Sequence, residues 1–294
     1  MPRKILIPSS FSLCRRRNTF LILRDDYKDL LLREGIEDIE AYIRRNLEKS
    51  TVLQGRTLHP SIPIGNEKRM VIRQYSHGGL LRGLTGSLYF SGSRSFEELA
   101  LTEEIRSSGI PTIQPIGAIH QTVIPPFYRA YLLSLEIPEA RDLIRLFVEI
   151  GPGPSRDVLS HKRTVIRSTG ILLRDFHKAG FFHRDLQLKN ILVSGSQPLL
   201  IDFDQSYRNP VLSLRERMKN LLRLNRSAEK WIRLGLPITW RDRLRFFSIY
   251  AGNDIEIRNE MRRASKTYSL RALLHRIGWA LEGNPSITKS QVGK

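Results

Sequence analysis

Phe182-His183-Arg184-Asp185-Leu186-Gln187-Leu188-Lys189-Asn190 is the stretch whose reading decides the fold. On its N-terminal side, Lys162 to Lys178 places Val165, Thr169, Leu172, Leu173 and Phe176 on one stripe at helical spacing and stops at Gly180. On its C-terminal side come two short apolar runs, Ile191-Leu192-Val193 and Leu199-Leu200-Ile201, split by Ser194-Gly195-Ser196. A polar loop between an amphipathic helix and a strand displays side chains for chemistry. Asp185 can accept or orient the proton of a hydroxyl group. Asn190, five positions on (190 − 185), can be brought round by the loop to hold a cation. Seventeen positions after Asp185 (202 − 185), a second carboxylate follows the apolar run in Asp202-Phe203-Asp204.

These two segments match the H-R-D-L-x-x-x-N and D-F-G motifs of protein-kinase-like phosphotransferases, with Asp204 in place of the glycine. On that pattern Asp185 is the catalytic carboxylate, and Asn190 and Asp202 hold Mg2+ on the phosphates of ATP. A lone H-R-D could be a surface loop, and an Asp after a strand is often a turn residue or cap. In this order, separated by two strands, the combination is hard to reach by chance.

The same pattern asks for a cation on a strand and a carboxylate on the next helix. Val71-Ile72-Arg73 puts Arg73 where kinases carry a lysine, and its planar fork can serve phosphate and carboxylate together. The predicted helix Ser95 to Ser107 supplies Glu98, with Glu97 beside it. Taken alone, a strand-end Arg and a solvated helix Glu are the plainer readings. Gly55, in Gln54-Gly55-Arg56-Thr57, is a single glycine of the kind found in ordinary hairpin turns, and only the rest of the pattern places it near the phosphates. The glycines from Gly78 to Gly86 follow the Arg73 strand, which suits a substrate-side or plain surface loop.

Further outward, the first half reads as strands with loops: Phe20 to Leu23, Thr51 to Leu53, Met70 to Ile72 and Tyr131 to Leu133. A further helix is expected over Ile36 to Leu47, and helices dominate from Val211 onward. The fold class is therefore α+β, with a strand-rich lobe and a helical lobe meeting at a hinge near Glu136 to Pro138. The expected division is an N-terminal extension over 1–50, an N-lobe over 51–137 and a C-lobe over 138–294.

The chain has 294 residues, 40% of them hydrophobic, which suffices for a sizeable core. The single cysteine, Cys14, excludes an intrachain disulfide and a cysteine metal cluster. The seven histidines are scattered without H-x-x-x-H or H-E-x-x-H spacing, and His183 reads as a structural member of the catalytic loop. No run of about 18 apolar residues occurs, so no spanning helix is expected. The start of the chain makes a poor secretory signal, because Ile5 to Cys14 is short, is broken by Pro8 and serines, and lacks a cleavage site. A cytoplasmic location is expected.

A net charge of +19 points to a polyanionic partner. Arg215, Lys219, Arg223, Arg226, Lys230 and Arg233 fall on one stripe of a predicted helix, beside an apolar stripe of Leu214, Met218, Leu221 and Leu222. Such a helix can lie on an anionic membrane or grip a phosphorylated acceptor; the commoner case is a solvated cationic face over a core-packed stripe. Nucleic acid is disfavoured, since no helix-turn-helix, RRM-like aromatic or zinc motif is present.

Four segments resemble the lipopolysaccharide core kinases, especially the Kdo (3-deoxy-D-manno-octulosonic acid) kinases. Ile72-Arg73-Gln74-Tyr75-Ser76-His77-Gly78-Gly79-Leu80 is similar to the family's LRhYxRGGL stretch, with His77 at an Arg position. Ser93-Arg94-Ser95-Phe96-Glu97-Glu98-Leu99 is similar to the entry into the helix of the paired Glu, and Gly109-Ile110-Pro111-Thr112-Ile113-Gln114-Pro115 to GLPVPxP. The set Asp185, Asn190 and Asp202 with its Asp-Phe-Asp variant is the fourth. The resemblance covers roughly residues 50 to 250. It implies a kinase-like fold, ATP with Mg2+, and phosphorylation of a Kdo hydroxyl on a lipid A precursor, peripherally at the cytoplasmic face of the inner membrane. A heptose kinase of the same family is the alternative acceptor reading. A Ser/Thr protein kinase is disfavoured by the lack of an A-P-E motif after Asp202, and a non-catalytic ATP-binding module by the presence of all three catalytic-motif residues.

Overall fold

The computed structural model describes residues 6–53, 59–65, 67–76, 88–90, 93–151 and 154–263. Two compact units divide the chain, 1–250 and 251–294. In the second, Asp254 accepts from the Ile257 N–H at 3.0 Å and so caps a helical turn. Apart from Ala251, the last residue of the final helix, all that follows concerns the first.

Its N-terminal half is one antiparallel sheet of seven strands: β1 (Phe11–Arg16), β2 (Thr19–Arg24), β3 (Thr51–Leu53), β4 (His59–Pro63), β5 (Arg69–Gln74), β6 (Pro115–Ile124) and β7 (Phe127–Leu135). Their order across the sheet is β1-β2-β6-β7-β5-β4-β3. Among the described residues three helices accompany it: α1 (Asp25–Arg33), α2 (Ile39–Arg45) and α3 (Arg94–Ser107).

Both faces of this sheet are covered, so its central strands read as continuous apolar runs instead of alternating ones. Leu21, Leu23, Ile72, Tyr131 and Leu133 pack with Tyr27, Leu31, Ile39 and Tyr42 of α1 and α2. Ile22, Ala118, Ala130 and Leu132 point the other way and pack with Phe96 and Leu99 of α3. The period of two along β2 and β7 is what divides one strand between two cores. The expected helix over Ile36 to Leu47 is shorter in fact, because the Asp38 carboxylate accepts from the Ala41 N–H at 3.1 Å and starts α2 there.

β7 leads through Glu136 to Pro138, where the hinge was expected, into β8 (Arg141–Asp142). The helical half follows: α4 (Leu143–Ile150), α5 (Arg156–Lys178), α6 (Leu214–Arg233) and α7 (Trp240–Ala251). Short strands carry the loops between α5 and α6: β9 (Phe181–Phe182), β10 (Ile191–Ser194), β11 (Gln197–Leu200) and β12 (Tyr207–Arg208). α5 begins six residues before the predicted start (162 − 156), where the Ser155 hydroxyl caps the Val158 N–H at 3.3 Å. It ends at Gly180, whose φ is +87°. A Cβ there would stand 2.3 Å from the Asn209 carbonyl oxygen, so both the backbone angle and the space require glycine. The two-lobed α+β class expected from the sequence is the observed fold.

Candidate active site

β5 and α3 bring Arg73 and Glu98 together as an ion pair, with the carboxylate buried and the guanidinium partly exposed. Tyr75, the residue just after β5, continues its period-two alternation on the side of Arg73, and its hydroxyl accepts from Arg73 Nη2 at 2.9 Å while donating to Glu98. Arg73 Nη1 donates to Asp202 Oδ1 at 2.6 Å. The other Glu98 oxygen accepts the Phe203 N–H at 3.0 Å. Glu98 thus ties a sheet arginine to the backbone of the Asp202 segment. Burial pushes its carboxyl up to about 7, against the opposing pull of the Arg73 guanidinium. The Arg73 Nε–H is buried and has no hydrogen-bond partner among the described residues.

Asp202 follows β11 with φ at +67°, a left-handed conformation that Asp tolerates better than most residues. Burial raises its pKa, but the charge and hydrogen bond of Arg73, with His183 and Lys189 nearby, together hold the carboxyl below its ordinary value. Phe203 is buried and packs on Phe176 and His183, with centroids 6.1 and 5.3 Å apart. Asp204, where kinases carry glycine, takes a two-point grip from Arg94 at 3.1 and 2.7 Å. That grip anchors the segment to the first turn of α3 and gives the aspartate a structural use.

The loop after β9 displays Asp185. Its Oδ1 accepts from Gln187 and from both Nε and Nη2 of Arg223 on α6, with the Nε contact at 2.9 Å. Lys189 Nζ lies 3.8 Å from Oδ2. Burial raises the Asp185 pKa, the Gln187 and Arg223 hydrogen bonds lower it, and the net direction is down. Oδ2 is left as the oxygen available to an incoming hydroxyl. Asn190 Nδ2 donates to the Asp185 carbonyl at 2.8 Å, which fixes the amide and leaves its Oδ1 for a cation.

His183 is structural, as the sequence implied. Its Nδ1 accepts the Asp185 N–H at 3.1 Å, so Nε2 carries the proton and donates to the Ile201 carbonyl at 3.0 Å. It therefore joins the Asp185 loop to the Asp202 strand. Beneath it, Asn220 on α6 accepts the His183 N–H at 3.0 Å and donates to its carbonyl at 2.9 Å.

Arg73, Glu98 and Asp202 thus form one cluster, and Asp185 and Asn190 a second, with His183 tying the two segments. Gly55 lies outside the described residues, as do Gly78 to Gly86. Sequence reasoning missed two members. Tyr75 had a usable signal, since it sits two residues from Arg73 in the same period-two alternation. Arg223 had none, because only the packing of α6 under the loop brings it to Asp185. In the predicted basic stripe it stood with Arg215, Lys219, Arg226, Lys230 and Arg233, which are exposed, while Met218 and Leu221 beside them are core residues.

Comparison with known families and proteins bears on this arrangement. Residues 55–250 match the family described as lipopolysaccharide kinase (Kdo/WaaP) family. A 3-deoxy-D-manno-octulosonic acid kinase of Vibrio cholerae is 35% identical over 54% of this chain and 65% of its own length. The enzyme of the same name from Vibrio vulnificus YJ016 is 31% identical over 58% of this chain and 70% of its own length. The match thus spans about two thirds of each relative. Among solved structures, WaaP in complex with acyl carrier protein is similar, with a TM-score of 0.53 at 18% identity over 84% of this chain and 98% of that one. That likeness speaks for the fold alone.

Proposed function

The chain belongs to the lipopolysaccharide kinase (Kdo/WaaP) family, and from that premise we propose that it transfers the γ-phosphoryl group of ATP to a Kdo hydroxyl of a lipid A precursor. The observation that carries this reading is the Arg73–Glu98–Asp202 cluster standing with Asp185 and Asn190 in the fold of a phosphotransferase. The relatives named Kdo kinase favour Kdo over heptose as the acceptor.

Arg73 binds the ATP phosphates, and its buried Nε–H, without a partner among the described residues, is a donor that a phosphate oxygen would satisfy. Asp202 and the Asn190 amide oxygen fit Mg2+, which takes one or two hard oxygen ligands from the protein and the rest from phosphates and water. Among the described residues no cluster of three or more His, Cys, Asp or Glu side chains competes as a metal site. When bound, the ion neutralises charge on the phosphates. Asp185, anchored through Oδ1, orients the acceptor hydroxyl with Oδ2. As the acceptor oxygen bonds to the γ-phosphorus, the bond to the bridging oxygen of ADP breaks and the hydroxyl proton is released toward Asp185. Arg223 and Lys189 beside the carboxylate offset the negative charge gathered there.

The acceptor is lipid-linked on this reading, so the protein works peripherally at an anionic bilayer on the cytoplasmic side. No helix among the described residues is long and apolar enough to cross a membrane. The test is incubation of the purified chain with ATP, Mg2+ and Kdo-bearing lipid A, with lipid A lacking Kdo and a heptose-extended core alongside. A one-phosphate mass gain confined to the Kdo-bearing acceptor supports the reading. Gain only on the heptose-extended core moves the acceptor outward, and no gain anywhere removes it.

A further inference from the structure

Two turns of the sheet meet at the end away from the hinge. The end of β1 and the turn that follows carry Arg15, Arg16 and Arg17, all exposed. It is tied to the β6–β7 turn through Asn18, whose side chain donates to the Thr122 carbonyl and whose own carbonyl accepts the Thr122 N–H at 2.9 Å. The β6–β7 turn exposes Val123 (40%), Ile124 (70%) and Phe127 (41%) around Pro125 and Pro126. On its far side Tyr89 exchanges hydrogen bonds with Tyr128 at 2.8 and 2.9 Å. This brings in Phe90, 67% exposed, with its ring edge-on to Phe127 at 6.0 Å.

Single exposed apolar residues are ordinary, but four on one protruding tip, two of them paired aromatic rings, are not. Pro125 and Pro126 lack backbone N–H groups, so the tip carries two donors fewer to strip of water on entering an apolar medium. No carboxylate occurs in residues 6–24, 88–90 or 115–135. Nearby, Glu40 of α2 is neutralised by Arg129, and Glu97 of α3 lies near Tyr128. An apolar tip beside three arginines, in segments with no carboxylate of their own, matches the chemistry of an anionic lipid surface: aromatic and aliphatic groups below the headgroups, guanidinium groups at the phosphates. β7 then runs from Phe127 to Leu132, the residue opposite Arg73. Five strand residues span roughly 17 Å, so the tip and the phosphate-side cluster lie within reach of one lipid-linked sugar.

We propose that the paired β1–β2 and β6–β7 turns dock this protein on an anionic lipid bilayer, with Ile124, Phe127 and Phe90 entering the interface and Arg15, Arg16 and Arg17 binding lipid phosphates. The need for such a surface rests on the lipid-linked acceptor proposed above; the surface itself rests on the turns alone.

The experiment is sedimentation of the full chain with phosphatidylcholine vesicles, with and without phosphatidylglycerol. Three variants are compared with the parent: Ile124→Ser with Phe127→Ser, Arg15→Gln with Arg16→Gln and Arg17→Gln, and Lys230→Gln with Arg233→Gln on α6. The parent sediments with the anionic vesicles, and the two turn variants lose at least about tenfold in partitioning. The α6 variant does not. Nucleotide binding of each variant reports that it has folded. Phe127→Trp supplies a second reading, an emission shift to shorter wavelength on anionic vesicles. Parent-like sedimentation of both turn variants, an unshifted emission from the Phe127→Trp reporter, or a parent that ignores anionic vesicles overturns the proposal. Vesicle binding by a protein that phosphorylates no acceptor would leave the docking surface standing while removing the Kdo reading.

Discussion

Arg223, on the first helix after the catalytic loop segments, closes both Nε and Nη2 on a single oxygen of Asp185. The contact fixes the orientation of the carboxylate, leaving Oδ2 to face the acceptor on the proposed mechanism, and lowers the proton affinity of the group. Arg223→Met should free the carboxylate to rotate. Turnover is expected to fall by roughly ten- to a hundredfold, with the KM for ATP unchanged. Arg223→Lys should recover part of the loss, since it restores the charge without the fork. Steady-state kinetics with ATP varied separates this from a nucleotide-binding defect.

Glu98 is ionised above about 7 and then holds Arg73; as pH falls through that value it takes a proton and the grip on Arg73 weakens. The kcat/KM for ATP should therefore decline on the acid side of neutrality. Asp185 and Asp202 cannot produce that limb, because both are held below the ordinary carboxylate range. In Glu98→Gln the limb should disappear, and kcat/KM should be roughly a hundredfold lower at every pH. A limb that persists in the variant contradicts the assignment.

His177 on α5 is buried between Asn220 and the Tyr250 hydroxyl, with contacts of 3.1 and 2.7 Å, and burial lowers it from 6.5 to about 4. The unfolded chain takes that proton first. The neutral imidazole's contribution is therefore complete above pH 6.5 and lost as pH falls toward 4, up to about 3 kcal/mol. Urea unfolding across that window should show the loss, and His177→Gln should flatten it.

Gly180→Ala combines a positive φ with a Cβ that meets the Asn209 carbonyl oxygen. A destabilisation of about 2–4 kcal/mol is expected in denaturant unfolding. The loop to Asp185 starts at this residue, so turnover should fall as well.

What the sequence made legible is what the chain holds locally. Asp185, Asn190 and Asp202 sit in short segments whose order and spacing mark the chemistry, and Arg73 and Glu98 follow from a strand-then-helix pattern. Arg223 was legible only as one cation among six, since nothing along the chain distinguishes the one that α6 turns under the loop. The contact of Arg94 with Asp204 was equally hidden, for it joins positions 110 residues apart. Among the elements, α4 escaped because it is short and mostly apolar. β1, β4 and β6 escaped because Pro60, Pro63, Pro115 and clustered serines and arginines mask their alternation.

The most direct measurement is phosphate transfer from ATP to Kdo-bearing lipid A by the parent chain and by Asp185→Asn, with ATP binding measured on both. The account predicts product with the parent only, and near-equal ATP binding by the two proteins. Near-parent turnover by Asp185→Asn would contradict the placement of catalysis at Asp185.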